Sequence, residues 1–234
     1  MAPTREVDRD PLVFAPMNDP LAILISFVYV FAALGLAEGL RRFFKLDIEF
    51  TRKVVHIAVG MWAWGTAALF QDKWLAMLTP AAFVIINALS YRFGLFLAME
   101  SRDRRNLGTI YFPIAFIALI ALFWGNLKPL FVAALMPMTW GDAFAAVIGR
   151  RFGRHRYTVF GATRSLEGSL AMFAFSFAGV WIALLAFGGG PMAWLAAVAT
   201  ALAATAAEAV APFGLDNPLV PAVSAAALAF VAVG

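Results

Sequence analysis

Apolar residues fall into eight long runs separated by short polar connections, over residues 21–40, 54–70, 74–97, 107–124, 129–149, 169–187, 192–210 and 218–233. Most come close to the ~20 residues a helix needs to cross a hydrocarbon layer about 30 Å thick. They lack the period-two alternation of a barrel strand, and an isolated strand could not satisfy its backbone in lipid, so the pattern predicts helices. The expected fold is all-α: a polytopic integral membrane helical bundle of about eight transmembrane helices. Seven is the alternative count, because Gly108 and Pro113 interrupt the fourth run and the last run is barely long enough. Residues 21–234 form one membrane-embedded domain in this reading. Residues 1–20, with four prolines and acids mixed with Arg5 and Arg9, form an irregular tail rather than a basic targeting segment.

Composition agrees with the pattern. Of 234 residues 63% are hydrophobic and 14% charged, with a mean hydropathy of +0.83. Soluble domains are about 45–50% apolar and about 25% charged, so one water-facing globule could not bury this much apolar side chain. The absence of cysteine excludes disulfides, thiolate metal sites and a cysteine nucleophile. The net charge of +4 is read as orientation rather than as a nucleic-acid surface. Fourteen of the 18 basic residues lie in three connections: Arg41, Arg42, Lys45, Arg52 and Lys53; Arg92, Arg102, Arg104 and Arg105; Arg150, Arg151, Arg154, Arg156 and Arg164. Positive-inside bias makes these odd-numbered connections cytoplasmic, with both termini outside, in a membrane expected to be the bacterial inner membrane. No repeat at a fixed period supports a transporter-like duplication.

Ionisable groups inside such runs cost on the order of 2.5–3.5 kcal/mol each and call for a reason. Glu38 and Arg92 lie near run ends, where snorkelling suffices. Asn87 is deeper and suits either an interhelical hydrogen bond or a ligand contact. Asp142, in MTWGDAFAAVIG, and Glu208, in ATAAEAVAP, place two carboxylates at similar depth on the cytoplasmic side. An ion pair with an arginine is the structural alternative for Asp142. Between them residues 149–169, GRRFGRHRYTVFGATRSLEGS, form a flexible basic loop, and Ser165 opens the sixth helix so that its free N–H groups face that loop. Arginine forks and backbone N–H groups suit phosphate oxygens, although such arginines also serve to hold anionic headgroups. Arg52, Lys53 and His56 sit one turn apart on one helix face. His155 is expected to be solvated. Cations and acids gathered at headgroup level fit Mg2+-dependent phosphate chemistry. The P-loop, protein-kinase and zinc-protease motifs are absent.

These stretches resemble a known family, the CTP-dependent polyprenol and lipid kinases, which includes phytol kinase, dolichol kinase and the yeast-type diacylglycerol kinase. The resemblance runs from about Thr51 to Ser224 on RKVVH with Gly60, GTIYFP from Gly108, GDAFAAVIGRRFGRHR from Gly141, RSLEGS from Arg164 and EAVAPFGLDNPLVP from Glu208. It implies transfer of the terminal phosphate of CTP to a lipid alcohol of the phytol, geranylgeraniol or polyprenol type at the cytoplasmic interface. It also implies a nucleotide and metal site that includes Asp142, Arg164, Ser165, Glu167 and Gly168, with Glu208, Asp216 and Asn217 nearby. One departure is Arg164, where the family often has lysine. With the residue reading, the expected phosphate contacts are Arg52, Lys53, His56, Arg150, Gly153, Arg164, Ser165, Gly168 and Asn217. Asp142 and Glu167 are the expected Mg2+ ligands, and Asp142 or Glu208 the group that orients the alcohol or takes its proton. CTP, a lipid alcohol and membrane lipids are the expected partners, with no nucleic acid. The competing readings are a CTP-dependent lipid-phosphate cytidylyltransferase like CDP-diacylglycerol synthase, whose run of paired acids is missing, and a transporter with Asp142 and Glu208 on an ion path.

Overall fold

A computed structural model describes residues 18–95 and 106–233. Arg5, Arg9 and most of the proline-rich tail, together with Arg102, Arg104 and Arg105 of the second basic connection, lie outside the described residues.

Among the described residues each apolar run is helical over most of its length. In chain order the helices are α1 (Asp19–Phe44), α2 (Ile48–Leu69), α3 (Lys73–Phe93), α4 (Gly108–Leu122), α5 (Lys128–Met136), α6 (Ala143–Phe152), α7 (Leu166–Ala186), α8 (Ala193–Val210) and α9 (Asp216–Val233). A π-helical segment, Pro137–Asp142, joins α5 to α6, so the fifth run is one continuous rod. Four rods besides this one, namely α1, α3, α7 and α8, are long and apolar enough to cross a membrane. Helices α4 and α9 are shorter and apolar, whereas α2 carries Glu49, Arg52, Lys53 and His56 in its first turns. The protein is thus a polytopic all-α membrane bundle.

Local chemistry sets the boundaries. Asp47 caps α2 by accepting from the Glu49 N–H, and Asp72 caps α3 by accepting from the N–H groups of Trp74 and Leu75. Gly94, at a φ of 69°, ends α3 in the left-handed conformation that glycine takes without penalty. Pro113 does not stop α4. Its ring removes one N–H and releases the carbonyl of Thr109, four residues earlier, which then accepts from Asn87 Nδ2 of α3 at 2.7 Å.

The α5–π–α6 rod is the centre of the bundle. In its apolar window 72% of residues are buried, against 28% in α1, and Phe131 to Leu135 have no exposed surface at all. It packs on α2, α4, α7 and α9. Two close approaches need glycine: a Cβ on Gly60 would lie 2.2 Å from Thr139 Oγ1, and one on Gly141 would lie 2.2 Å from Ser176 Oγ. The alanines of the last third do what small residues do in lipid. Ala193, Ala197, Ala201 and Ala204 form the buried stripe of α8, and Glu208 continues that stripe at its end.

Residues 149–169 depart from the expected flexible loop. Helix α6 runs through Phe152, and then β1 (Arg156–Val159) and β2 (Ala162–Ser165) pair antiparallel, with Arg156 opposite Ser165. The two-residue turn is Phe160–Gly161, both at positive φ, which matches the twist of a hairpin. Hydrogen bonds fix the ribbon to α7: the Leu166 N–H donates to the His155 carbonyl, and the Tyr157 and Ser169 hydroxyls lie 2.6 Å apart.

Candidate active site

The charged starts and ends of these helices meet at one end of the bundle. There α2, the end of the π segment, α6, the hairpin, α7, α8 and α9 surround a polar cleft. Its cations are Arg52, Lys53, Arg150, Arg151, Arg156 and Arg164, and its carboxylates Asp47, Glu49, Asp142, Glu208 and Asp216.

Asp142 closes the π segment, and its depth is explained by its partner. Its Oδ2 is paired with the Lys53 ammonium of α2, and His56 Nε2 lies 3.8 Å from the same oxygen. A lone carboxylate there would be strongly destabilising; a hydrogen-bonded cation offsets much of the desolvation. The expected structural partner was an arginine, and the structure supplies a lysine from an element 89 residues earlier. His56 donates from Nε2 to the Met138 carbonyl at 2.7 Å, and its ring packs on Phe112, so it supports the π segment from below.

Glu208 pairs with the Arg164 Nε, while Arg164 also donates to the Ala211 carbonyl at 3.0 Å and approaches Asp216 at 3.7 Å. One guanidinium thus ties the end of β2 to α8 and α9. Glu208 Oε2 is buried and has no hydrogen-bond partner. Ser165 caps α7 by accepting from the Gly168 N–H at 3.1 Å, and both residues line the cleft. Arg52 and Arg150 share Glu49, at 2.8 and 3.2 Å.

Four expected residues sit elsewhere, beginning with His56, which lines the cavity below this cleft but not the cleft itself. Glu167 is held by His155, whose Nδ1 is 2.8 Å from its carboxylate, and lines neither this cleft nor the cavity below it. His155 is therefore paired, not merely solvated. Gly153 packs against Ser165 and the Gly149 carbonyl rather than lining the cleft. Asn217 faces the lower cavity and bonds locally to the Gly214 carbonyl and Asp216. Glu49 and Asn106 belong to the cleft and were not singled out from sequence. The three-residue spacing of Glu49 and Arg52 was an available signal for the first. Asn106, one polar residue in a polar connection, offered none.

Below the cleft a second, largely apolar cavity extends between α1, α2, α3 and α4. Arg52, Lys53, Asn106, Asp142 and Asp216 line both spaces and mark their junction. Among the described residues no three His, Asp or Glu side chains are grouped to hold a metal by themselves. Mg2+ does not require such a group, since it binds through one or two carboxylates plus phosphate oxygens and water. The orphaned Glu208 oxygen beside Asp216 and Asp142 fits that demand.

The arrangement is that of a polytopic membrane bundle in which a cationic cleft adjoins a largely apolar cavity. Known proteins make the class particular. The chain is 34% identical over 215 residues to phytol kinase of Synechocystis, covering 90% of this chain and 92% of that one. It is 29% identical to a probable chloroplastic phytol kinase of Triticum aestivum over 69% of this chain, and 25% identical to farnesol kinase of Arabidopsis thaliana over 67%. It spans only 57% and 54% of those two plant proteins. No family model matches the chain, and no solved structure matches it significantly. The chain belongs to the phytol kinase family, the kinases of isoprenoid alcohols.

Proposed function

We propose that this protein transfers the terminal phosphate of CTP to the hydroxyl of an isoprenoid alcohol of the phytol type, at the cytoplasmic face of the membrane. The observation that carries this reading is the junction: Lys53, Asp142 and Asp216 line both a cationic cleft and an apolar cavity. An alcohol held below and a nucleotide held above would meet only there.

Arg150, Arg151, Arg156 and Arg164, with the N–H groups at the Ser165-capped start of α7, bind the CTP phosphates. The alcohol enters from the bilayer with its hydroxyl at the junction. Its oxygen attacks the terminal phosphorus, the bond from that phosphorus to the bridging oxygen breaks, and CDP leaves. Asp142 orients the hydroxyl and accepts its proton, while Lys53 neutralises charge on the transferring group. Asp142 is preferred over Glu208 in this role because Glu208 lines the cleft alone. One or two of Asp142, Glu208 and Asp216 would hold Mg2+, which would supply neutralisation of the phosphate charge. Glu167 is set aside as a ligand because His155 holds its carboxylate outside both spaces.

Purified protein with Mg2+, CTP and phytol or geranylgeraniol is expected to yield the alcohol monophosphate and CDP. Release of pyrophosphate and a CDP-lipid when a lipid phosphate replaces the alcohol, with no CDP formed from the alcohol, would replace this reading by the cytidylyltransferase one. A parallel set with ATP tests the donor.

A further inference from the structure

The apolar cavity has a definite length. On α2 it is lined from Arg52 to Thr66, fourteen residues, which at the helical rise is about 21 Å. The flanking helices follow it in register. Antiparallel α3 lines it from Asn87 at the junction to Ala76 at the far end, and α1 from Leu34 to Ser26. Its middle is apolar, made by Val30, Val55, Val59, Phe83, Phe112 and Phe116. Both ends are polar. At the junction Asn87 Oδ1 is buried without a partner, although the same amide's Nδ2 is used, so it offers a free acceptor where a hydroxyl would arrive. At the far end the Trp62 indole donates to Ser26 Oγ, and Thr66, Ala76 and Thr79 complete the floor.

We infer that this cavity is the tail site of the alcohol acceptor, and that the floor formed by Ser26, Trp62, Thr66, Ala76 and Thr79 sets the longest tail the enzyme accepts. The inference rests on the proposed kinase reading and names its acceptor by length. An extended chain advances ~1.3 Å per carbon–carbon bond, from bonds of about 1.5 Å at near-tetrahedral angles, so about 21 Å holds roughly four isoprene units. Tails of two to four units fit with the hydroxyl at Asp142. Longer polyprenols meet the floor.

The test compares geraniol, farnesol, geranylgeraniol and a nine-unit prenol as acceptors. The wild-type enzyme is expected to use the first three and to discriminate sharply against the last. Raising the floor with A76L and T79L together should lower kcat/KM for geranylgeraniol about 10- to 200-fold, the range one misfit methylene commands in an apolar pocket. The loss should grow with acceptor length, smallest for geraniol and largest for geranylgeraniol, with thermal unfolding of the detergent-solubilised variant reporting the fold. Loss of all acceptors in parallel, or an unchanged length profile, would overturn the tail site. A geranylgeraniol analogue with a diazirine at its tail end supplies a readout independent of turnover. Photolysis in membranes without nucleotide should label Ser26, Trp62, Thr66 or Thr79; label confined to outward residues such as Leu202 and Phe230 would overturn it. No phosphorylation of any alcohol by the wild-type protein would instead sink the kinase reading, and the cross-link distinguishes the two failures.

Discussion

The ion pair of Lys53 and Asp142 has separable effects on stability and on rate. Asp142→Asn is expected to cut turnover about 10²- to 10⁴-fold, as loss of a positioned proton acceptor does. It also leaves the Lys53 ammonium buried without a carboxylate, and breaking a buried pair from one side costs about 3–5 kcal/mol. Lys53→Met should destabilise similarly, whereas Lys53→Met with Asp142→Leu should recover much of the loss in thermal unfolding of the detergent-solubilised protein. Additive losses in that cycle would show that the two groups do not depend on each other. Asn87 supports a different expectation. Asn87→Leu removes the donor to the carbonyl that Pro113 releases, so it should lower stability by about 1–3 kcal/mol, and Pro113→Ala in the same chain should restore part of it. At this scale the sequence marked Asp142 and Glu208 through the cost of burying charge. It offered an arginine as the structural partner of Asp142 and missed Lys53, because ion pairing depends on which helices touch, and α2 and the π segment are far apart in the chain.

Among the elements, the π segment decides where the Asp142 carboxylate points. It is a single widened turn, a form that recurs at functional sites, and it ends on Asp142. Glycine lets α7 approach it. Gly141→Ala would put a Cβ 2.2 Å from Ser176 Oγ and 2.8 Å from Met172 Sδ, so overpacking should cost about 1–3 kcal/mol. Turnover should fall with it, because Asp142 is the next residue. Full activity at unchanged melting temperature would show that the segment yields without moving Asp142. The hairpin tells the opposite story about legibility. Its Phe160–Gly161 turn was readable in principle, but the surrounding arginines looked like a solvated loop, and only the bonds from Leu166 and Tyr157 make it a fixed wall of the cleft. Helix starts were easier: Ser165 was marked as the opening of α7, and its side chain caps that helix.

Across the whole molecule, the competing activities differ in what they require of the bundle. An ion path needs polar groups through its thickness, whereas the middle of the lower cavity is apolar from Val55 to Phe116. Liposomes carrying the protein are therefore expected to show no cation flux beyond that of empty liposomes; a flux that survives Asp142→Ala would favour transport. The membrane class and the crowding of charge toward particular connections were legible in the sequence alone, which left seven or eight helices open; the described residues form eight helical rods. Apolar run length and the cost of buried charge act locally, and each is readable without knowing neighbours. The junction was decided only by tertiary structure. Lys53, Asn106, Asp142 and Asp216 come from four separate stretches of chain, and what places them between a cationic cleft and an apolar cavity is the packing of the helices. Glu167 shows the same dependence in reverse: the family resemblance implied it for the metal site beside Ser165 and Gly168, whereas in the fold its carboxylate meets His155 and lines neither cleft nor cavity. Packing depends on shape across distant segments, which no run of residues encodes by itself.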